Sequence, residues 1–206
     1  MGLFDNVSNL VSLFVDDKKT PETKNLANRA DVSSFDFGKV ASLGLPAILK
    51  GIQRNSQDEA GLDSLNNALD QHQDVQKYQS VEELSQNVDP QEGDKILGHV
   101  FKDKDSIIDR IADSVGMSPA AVKRVLVLLA PVVLKYLADQ KKSKNLDKQQ
   151  LQKETSSIAD SVTQTMADSN HGGILGSLLG GLSSPDQKND SDRKTGILDD
   201  VFNKLF

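Results

Sequence analysis

The chain has 206 residues with no Cys and no Trp, so it is long enough to bury its own core while disulfides, thiolate metal sites and thiol nucleophiles are excluded. Aromatic residues make up only 4% and the formal net charge is −6, a composition that argues against a sheet protein and against bulk affinity for nucleic acid. From the N-terminus, Leu3, Phe4, Val7, Leu10, Val11 and Phe14 fall on one helical face, which predicts a short amphipathic helix over residues 1–15. The opening MGLFDNVSNLVSLFVDDKK has no basic segment, long apolar run or small-residue cleavage site, and cytoplasmic residence is the expectation. Residues 16–34 are polar and read as a flexible linker.

A helical core is expected over 35–166. It opens with apolar spacing through Val40, Leu43, Ile48, Leu49 and Ile52, with a break or kink near Pro46. Helices follow over 63–72, 81–88 (headed by Ser80 with Glu83 three residues on), 94–101, 105–115 and 119–140, the last started by the pair Ser118-Pro119. The run from Val125 to Leu134 is apolar on nearly every side and holds ten residues, about half the roughly 20 that a membrane-crossing helix needs. It reads as the central buried helix. A polar helix over 151–166 comes next, then a Gly/Leu-rich segment (167–183), a second polar linker (184–195) and a C-terminal amphipathic helix (196–206). The expected core comprises Leu43, Ile48, Leu49, Ile52, Leu97, Ile108, Ile111, Val125, Leu128, Leu129, Val132 and Leu134. The fold class is all-α, a helical bundle.

Two segments align without gaps at an offset of 85, KVASLGLPAILKGI from Lys39 and RVLVLLAPVVLKYL from Arg124, which points to an internal pseudo-repeat. A smaller stripe also recurs. Ile96, Leu97, Val100 and Phe101 share their spacing with Ile174, Leu175, Leu178 and Leu179 and with Ile197, Leu198, Val201 and Phe202. Leu3, Phe4 and Val7 come close to it. Stripes this short cannot persist alone in water and must dock. The candidate interaction residues are therefore Leu3, Phe4, Val7, Ile197, Leu198, Val201, Phe202, Leu205 and Phe206. The groove that receives the stripe at Ile96 is the expected docking surface for its C-terminal copy.

Charge is distributed unevenly. Between Ser56 and Asp94 ten acidic residues stand against Lys77 alone, a balance of −9, and between Ser118 and Lys153 eight basic residues stand against Asp139 and Asp147, a balance of +6. Such blocks either face each other within the fold, drive association of copies, or form separately solvated faces.

The segments LGLPAILKGIQRN, GLDSLNNALDQH, GDKILGHVF and IIDRIADSVGMSPAAVKRVLVLLAPVVLKYL resemble the bacterial family catalogued as domain of unknown function 937, over about Leu43 to Leu137. The opening MGLFD and closing NKLF are similar to YidB-like proteins. The resemblance implies a helical fold and no established activity.

Catalytic chemistry finds little to build on. His72, His99 and His171 are the side chains that titrate near neutrality, and they stand far apart with no nucleophile elbow beside them. The glycine runs lack the lysine and preceding strand of a phosphate loop, and Asp89, Glu92 and Asp94 are too irregular for a calcium loop. No enzyme activity, cofactor or metal is expected. One rival deserves weight: Ala112, Gly116 and Val122 have helix-turn-helix spacing, which would make Ser118, Lys123 and Arg124 the DNA contacts. Against it, the second helix turns wholly apolar after Arg124 and offers no Asn or Gln to base edges. A membrane surface is a third alternative, weakened because residues 3–14 carry no basic side chain. The expected function is a non-enzymatic helical interaction protein whose partner is another protein or a second copy.

Overall fold

The computed structural model describes residues 10, 11, 14, 20–71 and 80–167. These residues are helical throughout apart from caps and turns, and among them there is no strand.

The first helix contradicts the expected linker. Helix α1 spans Pro21–Arg29, with Thr20 as N-cap accepting from the Thr23 amide and Pro21 in the first turn. Its Leu26 and Ala27, with Ala30 beyond its end, are buried in the main core. Leu10, Val11 and Phe14 are helical and buried there too, and the rings of Phe14 and Phe37 lie 6.1 Å apart. The folded body therefore begins before Phe35. Polar composition misled here because α1 has few apolar residues and its ties run to distant parts of the chain.

Helix α2 (Ser34–Asn55) starts at the Ser33 N-cap and continues through Pro46 as one helix, so of the expected break or kink the break does not occur. Asp58 accepts from the Gly61 amide at the start of α3 (Glu59–Gln71), and Ser80 caps α4 (Val81–Asn87) through the Glu83 amide. Asp89 caps α5 (Pro90–Val100) and Asp103 caps α6 (Lys104–Val115). Ser118 caps α7 (Pro119–Ser143), which runs through Pro131, and Asp147 and Gln150 form a reciprocal capping box on α8 (Lys148–Met166). Each cap supplies an acceptor to an amide that the first turn leaves without one.

Helix α7 is the centre. Every residue from Val125 to Lys141 is buried, against α2, α5 and α6 principally. All twelve residues expected in the core are buried. The two interior prolines aligned by the offset of 85 fall in the two long helices, α2 and α7. Among the described residues no single helix is long and apolar enough to cross a membrane; α6 and α7 pass that test only together, bent by 112°.

The opposed charge blocks meet inside the molecule. Lys141 pairs with Asp70 at 2.5 Å, Lys123 with Asp94 at 3.1 Å, and Lys148 with Asp63. Gln152 adds a hydrogen bond from its side-chain amide to the Ser56 carbonyl at 2.6 Å.

Candidate functional site

The corner between α6 and α7 has the geometry of a helical turn. Gly116 adopts the left-handed conformation (φ 69°, ψ 37°), which suits a residue without Cβ, and its amide and that of Met117 both donate to the Ala112 carbonyl. Ala112 and Val122 are buried and pack the angle as their spacing predicts. The proposed DNA contacts are engaged elsewhere. The Ser118 hydroxyl accepts from the Ala121 amide at 3.3 Å, Lys123 pairs with Asp94, and Arg124 Nε donates to the Ala30 carbonyl at 2.7 Å. A second Arg124 nitrogen reaches the Asp31 carbonyl at 3.4 Å. The corner thus joins α1, α5 and α7 to one another. The carboxyl of Asp94 is held below its usual range by hydrogen bonds from Lys104 and then Lys123.

A second constellation went unrecognised in the sequence. On α7, Lys135 and Asp139 form an ion pair at 2.7 Å with side chains 5% and 1% exposed. Their i, i+4 spacing places them on one helical face. The readable signal was that spacing within an otherwise apolar helix. Tyr136, next to Lys135, is fully buried, and desolvation, with a smaller contribution from the Glu154 charge, pushes its hydroxyl up to about 12. The pair is internal to α7, each buried ion having its counter-ion one helical turn away on the same helix.

His99 lies exposed on α5, where its carbonyl accepts from the Asn55 side-chain amide at 2.7 Å. His72 and His171 fall outside the described residues, as do Leu3, Phe4, Val7, Ile197, Leu198, Val201, Phe202, Leu205 and Phe206. The expected Gly/Leu-rich segment beyond Ala167, the second linker and the C-terminal helix fall outside them too. Among the described residues no three His, Asp or Glu side chains are grouped as a metal site would need.

A family model described as "Bacterial protein of unknown function (DUF937)" matches residues 15–140. The chain belongs to the DUF937 family. No curated protein and no solved structure matches it. The DUF937 match is wider than the likeness legible in the sequence motifs, since it takes in α1 and the residues before it. It also contains the whole α6–α7 corner and the Lys135–Asp139 pair, and stops within the last turn of α7, leaving α8 outside.

Proposed function

We propose that this DUF937 chain is a non-enzymatic interaction protein of the bacterial cytoplasm, a rigid helical body that associates with a protein partner or with its own copies through short apolar stripes near its termini. The observation that carries this reading is the burial of Leu10, Val11 and Phe14 against the body, with Phe14 beside Phe37. These three residues of the N-terminal apolar face pack on the chain's own body. By the same physics the C-terminal stripe of Ile197, Leu198, Val201, Phe202, Leu205 and Phe206, too short to persist alone, requires a surface. Residues 183–195 span up to roughly 40 Å when extended, a reach that includes both its own body and a neighbour's.

The alternative of a DNA-binding regulator has the turn at Gly116 in its favour. It is disfavoured by the intramolecular partners of Lys123 and Arg124 and by the buried face that follows them. Removing Gly196–Phe206 separates the outcomes of the proposed reading: the truncated chain should differ from the full chain in mass by light scattering, or bind a hydrophobic dye more strongly. Equal mass, dye response and melting temperature in the two chains would defeat the proposal.

A further inference from the structure

Helices α5 and α7 approach each other more closely than side chains permit. A methyl group added at Gly93 would overlap the carbonyl oxygen of Val127 and stand 2.6 Å from its carbon. Val127 lies four residues before Pro131, and proline has no N–H to give the carbonyl at that position. The carbonyl that meets Gly93 is therefore the one that Pro131 leaves without its intrahelical donor. The Cα–H of Gly93 is the group facing it, and Cα–H to carbonyl contacts recur where helices cross this closely.

The same stripe of apolar residues occurs in three places, but this glycine occurs in one. Gly93 stands three residues before Ile96; the equivalent positions before Ile174 and Ile197 hold His171 and Lys194. A side chain of either kind would need the space that the Val127 backbone fills. We propose that Gly93 and the Pro131-freed carbonyl of Val127 together form a selector, which admits α5 to the central helix and excludes the two look-alike stripes from that seat. The C-terminal stripe must then dock on a surface other than the groove of α5, contrary to the expectation from its spacing alone. This selector stands whether or not the chain self-associates.

Pro131→Val tests it in the full-length chain, because valine keeps much of the ring's bulk while restoring the N–H that the Val127 carbonyl lacks. In ordinary helices such a change slows exchange and raises the melting point. Here, drawing the carbonyl back into α7 should speed amide exchange in Pro90–Val100 by about tenfold relative to α2. Gly93→Lys, which gives α5 the residue of the C-terminal copy, should do the same or prevent folding. Pro131→Val with unchanged exchange in α5, or Gly93→Lys with an unchanged melting temperature, overturns the selector. Pro131→Ala provides the smaller-volume control and should resemble the valine variant.

Discussion

Helices α7 and α1 are held in the same body by opposite means. Along α7, seventeen consecutive residues from Val125 to Lys141 are buried, and its wholly apolar part from Val125 to Leu134 is fixed by non-directional packing, at roughly 25 cal/mol per Å² of apolar surface. Along α1, Thr23, Leu26 and Ala27 are buried, and the remaining ties are directional. Arg29 donates to the carbonyls of Ser85, at 3.0 Å, and Val88 at the end of α4, and Arg124 donates to the Ala30 carbonyl at the end of α1. Helix α4 has seven residues and no basic residue in its last turn, so the Arg29 guanidinium supplies the positive group its C-terminal carbonyls favour. An apolar helix is robust to small displacements; α1, with its small buried face, depends more on the geometry of its few guanidinium bonds.

The largest expected effect comes from placing a charge in α7. Leu129→Asp buries a carboxylate with no partner, at a cost of several kcal/mol that rivals the whole stability of a domain. The variant should show no cooperative melt by circular dichroism. An unchanged melt would remove α7 from the centre of the fold.

The ion pair within α7 sharpens the contrast between apolar and polar support. Asp139→Ala leaves Lys135 buried without its partner and should destabilise by about 3–5 kcal/mol in urea unfolding. The double replacement Lys135→Met with Asp139→Leu should restore stability to near that of the unaltered chain or above it, since packing there does not depend on charge. If the double variant is as unstable as the single one, the pair contributes more than its apolar surroundings allow.

Smaller effects should appear at the two ends of the pH scale. The Tyr136 hydroxyl is raised from 10.0 to about 12 in the folded chain, so its contribution is complete below pH 10 and is lost as pH rises from there toward 12. Tyr136→Phe should remove that alkaline limb from a plot of stability against pH. Asp94 is shifted the other way, lowered by its hydrogen bonds from Lys104 and Lys123. Its contribution is present above the usual carboxylate range and is lost as pH falls through the lowered value.

Much of this was legible in the sequence, and the failures have identifiable causes. The central helix, the caps at Ser80 and Ser118 and the twelve core residues follow from apolar spacing and from side chains that satisfy first-turn amides. The opposed charge blocks were visible as numbers; their meeting through Asp63, Asp70 and Asp94 required the arrangement of α3, α5, α7 and α8. Helix α1 was unreadable because the acceptors of Arg29 lie 56 and 59 residues away. The seat of Gly93 was hidden for a related reason. Pro131 lies inside a run that reads as one helix, and only the crossing of α5 shows what the freed carbonyl meets.

Native-state amide exchange on Arg29→Ala tests the contrast between the two helices most directly. Loss of two hydrogen bonds from a charged donor is worth about 1–3 kcal/mol, and its effect should be confined to the elements that those bonds join. The amides of Pro21–Arg29 and Val81–Asn87 should lose protection together while those of Val125–Lys141 keep theirs. Equal loss in α7, or α1 amides that exchange in the unaltered chain as fast as in an unstructured peptide, would contradict the division between a packed centre and an arginine-tied periphery.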